Sequence, residues 1–181
     1  MRFHNLALAL LAGFALNSSA EAALFGRNLD ANPATYEAVY DQDRNITWLA
    51  DANYAKTSGF DSDGRMHWPS ADAWARSLNY YGYTGWRLPT TTQPDSTCSS
   101  QYNPGPPYGL LGYGKNCSGS EMGHLFYDEL GGTAGDSILS SSDPDVALFS
   151  NIGVSYWSEE YAPKAIATNG HTGQAGRIKM S

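Results

Sequence analysis

Residues 68–90 read WPSADAWARSLNYYGYTGWRLPT, from Trp68 to Thr90, and this stretch decides how the rest of the chain is read. Ser70, behind Pro69, is expected to cap a helix; Ala71, Trp74, Ala75 and Leu78 then fall at i, i+3, i+4 and i+7, one apolar face. Asp72 lies in the first turn and Arg76 near the last, each matching the helix dipole. Gly82 supplies the left-handed residue that ends the helix, and Tyr83-Thr84-Gly85 makes a tight turn. Trp86-Arg87-Leu88 follows as a strand, limited by Pro89.

Working outward, Tyr36–Tyr40 and Asn45–Ala50 gather tyrosine, valine, isoleucine and tryptophan around the polar turn Asp41-Gln42-Asp43-Arg44, which predicts a hairpin. Ala23 to Pro33 has the composition of a loose lead-in, and Asp51–Arg65 that of a surface loop. Downstream, Thr90–Cys117 is rich in Ser, Thr, Pro, Gly and Tyr, with no helical period and too many breakers for a strand. Ser118 and Glu121 have the spacing of a capping box, and Met122, Leu125, Phe126 and Leu130 share one face before Gly131-Gly132, so a second helix is expected. Ile138–Asp145 is another Ser- and Asp-rich loop, and Tyr156-Trp157-Ser158 opens a strand.

The run Ala71-x-x-Trp74-Ala75, then Gly82-Tyr83-x-Gly85-Trp86-Arg87-Leu88-Pro89-Thr90, resembles the secreted bacterial domain at the C-terminus of the Legionella collagen-like adhesin, a domain often found in proteins with a PEP-CTERM tail. Tyr40-Asp41, Ile46-Thr47-Trp48-Leu49, Gly119-Ser120-Glu121-Met122 and Tyr156-Trp157-Ser158 occur in that family's order, so the likeness covers residues 36–161. Trp86 to Thr90 is also similar to a segment of formylglycine-generating-enzyme-type domains, which implies a C-type lectin-like α+β fold: two short helices, a small mostly antiparallel sheet and long loops. The resemblance implies binding or adhesion. Residues 162–181 depart from it, being small and polar with no closing aromatic strand, which reads as an atypical or truncated tail with an unpaired sheet edge.

The first 22 residues read as a secretory signal: Arg2 and His4, an apolar run from Leu6 to Leu16, and Ala20-Glu21-Ala22 before the expected cleavage. That run is well short of the ~20 residues a spanning helix needs, and no later segment is apolar enough to cross a membrane. A secreted chain, extracellular or periplasmic, is therefore expected. In such a chain an isolated pair, Cys98 and Cys117, is most simply a disulfide, stabilising by roughly 3 kcal/mol for a loop of this length. The net charge of −7 excludes a nucleic-acid partner, because phosphate backbones are repelled and no basic cluster interleaves with the aromatics.

Calcium is the one cofactor the sequence offers. Asp61-Ser62-Asp63-Gly64 has alternating carboxylates and a glycine, but Gly59 and Ser70 stand where a calcium loop needs its first and twelfth ligands, so a plain Asp-Gly turn is the better reading. Asp41, Asp43 and Asn45 read as turn residues too. His67, His124 and His171 lack the spacing of a helical zinc pair, and no nucleophile elbow, phosphate loop or dinucleotide fingerprint is present. The exposed aromatics are a better lead: Tyr80, Tyr81 and Tyr83 after the first helix, and Tyr102, Tyr108 and Tyr113 in the bridged loop, flat amphipathic rings suited to a sugar or a protein. The sequence thus points to a non-catalytic extracellular module for an uncharged glycan or a cell-surface protein, with a secreted hydrolase and a structural matrix component as rivals.

Overall fold

The computed structural model describes residues 24–106 and 109–159 and the backbone of 177–179. The expected signal segment, Tyr108 and most of the tail lie outside the described residues. The chain is α+β, with small antiparallel sheets and short helices joined by long loops. No helix among the described residues is long and apolar enough to cross a membrane.

The hairpin forms where the sequence places it. Strands β2 (Ala38–Asp41) and β3 (Ile46–Leu49) pair antiparallel, Ala38 opposite Leu49 and Asp41 opposite Ile46. Asp41 shapes its own turn: Oδ1 accepts the Arg44 amide at 2.8 Å, and Asn45 takes a φ of 52°. The lead-in is not loose. Leu24–Arg27 is strand β1, paired along β2 with Leu24 buried and Phe25 outward. A segment too short to show periodicity is ordered here by a neighbouring edge, with the Arg27 guanidinium 3.9 Å from the Tyr40 ring centroid.

After helix α1 (Tyr54–Thr57), helix α2 spans Trp68–Ser77 and buries Ala71 and Ala75 as the pattern requires, with Trp74 and Leu78 half-buried. Its start is three residues earlier than expected: His67 is the cap residue and Pro69 lies in the first turn, where a missing N–H costs nothing, so Ser70 caps nothing. Arg76 reaches Asp72 at 3.0 Å and Glu159 at 2.6 Å, tying the helix to the segment after the later strand. Gly82 is left-handed, φ 85°, but beyond the helix end; with Tyr81 at φ 52° it forms a two-residue turn bridging Tyr80 to Tyr83. Trp86-Arg87-Leu88 joins no sheet, and Pro89 instead accepts the Glu159 amide at 2.8 Å.

The bridged segment contains a hairpin where no strand was expected: β4 (Ser100–Tyr102) pairs antiparallel with β5 (Leu111–Tyr113). Helix α3 (Glu121–His124) follows and widens into a π-helical turn, Leu125–Glu129. Met122, Leu125, Phe126 and Leu130 pack on Leu24, Val39, Ala50 and Ile138 to make the core, each large side chain contributing about 1.5–3 kcal/mol by burial. The expected loop at Ile138–Asp145 is two 3-10 turns capped by the side chains of Ser137 and Asp143. Strand β6 (Ser155–Trp157) contains Tyr156 and Trp157 as read but starts at Ser155 and ends before Ser158, and its edge is not open: β7 (Arg177–Lys179) pairs with it antiparallel, Tyr156 opposite Ile178.

Candidate functional site

Cys98 and Cys117 are disulfide-bonded, and beneath the bridge lies Asp95, which is 2% exposed. One carboxylate oxygen of Asp95 accepts the Thr97 amide at 3.0 Å and the other accepts the Gly119 amide at 3.1 Å. Its backbone carbonyl accepts Gln101 Nε2 at 2.7 Å. The Gln93 amide group pairs with Gly112 both ways, accepting its N–H at 2.8 Å and donating to its carbonyl at 3.1 Å, in the manner of a further strand. A Cβ on Gly112 would stand 2.2 Å from the Asp95 carbonyl oxygen, so only glycine fits there.

This clamp decides which way the tyrosines point. Gln101 and Gly112 are directly opposite and face Asp95; Tyr102 and Tyr113 are the next residue on each strand and therefore share the other face. Both rings are 54% exposed. As a diagonal cross-strand pair their Cβ atoms are about 7 Å apart, close enough for one ligand to touch both. Tyr108 lies outside the described residues.

The second group divides. Tyr80 is 7% exposed, with its ring 4.6 Å from Tyr54, 4.8 Å from Tyr81 and 6.0 Å from Trp86 between centroids. Burial pushes its hydroxyl up to about 12. Tyr80 is thus a packing anchor rather than a ligand contact, because its ring is buried among those of Tyr54, Tyr81 and Trp86. Tyr81 and Tyr83 are exposed, and Tyr83 borders a cleft of about 460 Å³ walled by Arg27, Trp48, Trp86, Arg87 and Glu121. In that cleft Glu121 accepts Arg87 through both oxygens, at 2.6 and 2.8 Å, and the Thr90 amide at 2.7 Å. Burial alone would push its pKa up, but the bonds from Arg87 and Thr90 outweigh burial and hold the carboxyl below the usual glutamate range. The expected capping box is not made: Ser120 is the cap residue, no side-chain cap bond forms, and Glu121 links α3 to the loop after Trp86. A larger hollow of about 900 Å³ is walled by α2, β3 and β6, with Leu125 and Leu130 in its lining.

Asp61 and Asp63 act as turn residues. Asp61 Oδ1 accepts the Gly64 amide at 2.7 Å and the Asp63 amide at 3.1 Å, and Asp63 Oδ1 accepts the Arg65 amide at 2.9 Å. These amides, that of Asp63 foremost, hold the Asp61 carboxyl below its ordinary range. Gly64, at φ 77°, lies against the Asn53 side chain.

The structure also assembles a group that the sequence does not signal. Asp41, His124 and Glu129 are buried, at 0%, 9% and 3% exposure, and their donor atoms all lie within 4.8 Å of one another. They come from the end of β2, from α3 and from the π-helical turn. The only local hint is the i, i+4 pair of His124 with Asp128, which meet at 2.9 Å. Set against known proteins, the chain matches no family model, no curated protein and no solved structure.

Proposed function

We propose that this protein is a secreted, lectin-like binding module, extracellular or periplasmic, which takes an uncharged glycan on the face shared by Tyr102 and Tyr113 and performs no catalysis. One observation carries the reading: two half-exposed tyrosines lie side by side on a hairpin whose opposite face is locked by Asp95, Gln93 and the disulfide. A ligand that stacks on preorganised rings loses little to ordering the protein, which is how flat sugar faces are held. The net charge of −7 favours an uncharged sugar over a sulfated one. The resemblance of residues 36–161 to an adhesin domain supports the same class of function. The charged pair in the cleft, Arg87 with Glu121, is mutually satisfied and offers neither a base nor an acid for hydrolysis.

The test is a neutral-glycan array probed with the mature protein, wild type beside Tyr102→Ala/Tyr113→Ala. Each ring contributes about 0.5–1.5 kcal/mol, so the double variant is expected to weaken binding by about 5- to 150-fold, while Tyr81→Ala/Tyr83→Ala leaves it within about twofold. Unchanged binding in the first variant, or an array that stays silent for the wild type, would remove the assignment.

A further inference from the structure

We propose that Asp41, His124 and Glu129 form a buried centre for one divalent transition-metal ion, with zinc the ion their donors fit best. The donors converge because the backbone is made to converge. In the π-helical turn Leu130 N–H bonds to the Leu125 carbonyl at 3.0 Å, an i to i+5 step, and this widening brings Glu129 under His124, which a regular α-turn would hold on different sides. Asp41 arrives from the hairpin, its carboxylate already fixed by the Arg44 amide at 2.8 Å and by Trp48 Nε1 at 3.5 Å, each oxygen keeping a further lone pair.

The imidazole is oriented as a ligand. Its Nδ1 meets Asp128 Oδ2 at 2.9 Å, and an outer carboxylate on one ring nitrogen sets the other, Nε2, as the metal-facing atom. Nε2 is buried and makes no hydrogen bond; Glu129 Oε1 is 2.9 Å away but off the line a bond requires. Two buried carboxylates gathered on one imidazole nitrogen make a setting that stabilises a cation placed among the three donors. Among metal ions the donor set fits zinc: one nitrogen and carboxylate oxygens are ligands zinc takes, with a water to complete four-coordination, whereas calcium takes six to eight oxygens. The ion would cross-link β2 to α3 and the turn after it, at the edge of the core.

The experiment uses tag-free mature protein, extensively dialysed against EDTA and then titrated with zinc chloride, with calcium chloride in parallel. Metal analysis is expected to return about one zinc per chain, with a rise in Tm that calcium does not reproduce, and cobalt substitution is expected to give a visible ligand-field band. Glu129→Gln and His124→Gln are expected to lose the stoichiometric zinc. Should either fail to fold, Asp128→Asn serves, since Asp128 is nearly half-exposed and only orients the imidazole; it is expected to weaken zinc binding by about 10–100-fold. No zinc retained by the wild type and no Tm response to it overturns the proposal. So does a zinc affinity that Asp128→Asn and His124→Gln leave unchanged.

Discussion

Glu121 separates two accounts of the region before α3, and its removal can be worked through from the contacts. In Glu121→Ala the Thr90 amide, half-buried, loses its acceptor, which costs about 1–3 kcal/mol. The ion pair with Arg87 adds less: the Arg87 side chain is 37% exposed, so water takes over much of its solvation and the pair is worth about 0.5–1 kcal/mol. The sum is about 1.5–4 kcal/mol, read by urea denaturation at pH 7 with the disulfide intact. Glu121→Gln keeps an acceptor for Thr90 and is expected to cost about 1 kcal/mol. A double-mutant cycle then assigns the partner. Arg87→Met with Glu121→Gln is expected to show a coupling of about 0.5–1 kcal/mol, and Ser118→Ala with Glu121→Gln a coupling under about 0.3 kcal/mol. The reverse, coupling to Ser118 and none to Arg87, would restore the capping box and refute the cross-link.

The same carboxylate has a pH signature. Its folded-state pKa is depressed, so its contribution is complete above the ordinary glutamate value of about 4.3 and is lost as pH falls through the lower, folded value; Glu121→Gln flattens that part of the acid-unfolding curve. Gly112→Ala forces a Cβ to 2.2 Å from the Asp95 carbonyl, and a loss of about 1–3 kcal/mol with broadened Tyr102 and Tyr113 resonances is expected. Replacing both cysteines by serine is expected to cost roughly 3 kcal/mol in denaturant midpoint analysis, for a sequence separation of 19. Tyr80→Ala empties a packed site and is expected to cost about 3–5 kcal/mol by calorimetry, whereas Tyr113→Ala, on an exposed face, stays within about 0.5 kcal/mol.

What the sequence reveals here is what neighbouring residues decide among themselves. The β2–β3 hairpin is legible because Asp41 and Asn45 build the turn locally, and the buried faces of α2 and α3 are legible because their apolar residues recur at helical spacing. The start of α2 is misread because Pro69 tolerates the first turn as well as it tolerates the position before one. The partner of Glu121 is hidden because Arg87 is far away in the chain, while Ser118 has the right spacing by chance. β4 and β5 escape detection because side chains of Gln93 and Asp95 complete and clamp them, so little in their own residues shows a buried face. Of the candidate tyrosines, an aromatic count does not tell Tyr80, which anchors the turn, from Tyr81 and Tyr83, which do not; only packing does. The convergence of Asp41, His124 and Glu129 depends on the π-helical widening, which no spacing rule for regular helices anticipates.

The central claim, that the locked hairpin holds Tyr102 and Tyr113 out as one recognition face, is tested most directly by NMR of protein carrying carbon-13 in its tyrosine rings, titrated with the best neutral oligosaccharide from the array. The ring signals of Tyr102 and Tyr113 are expected to shift together on one binding curve while that of buried Tyr80 stays in place. Shifts confined to Tyr81 and Tyr83, or to no tyrosine at all, would contradict it.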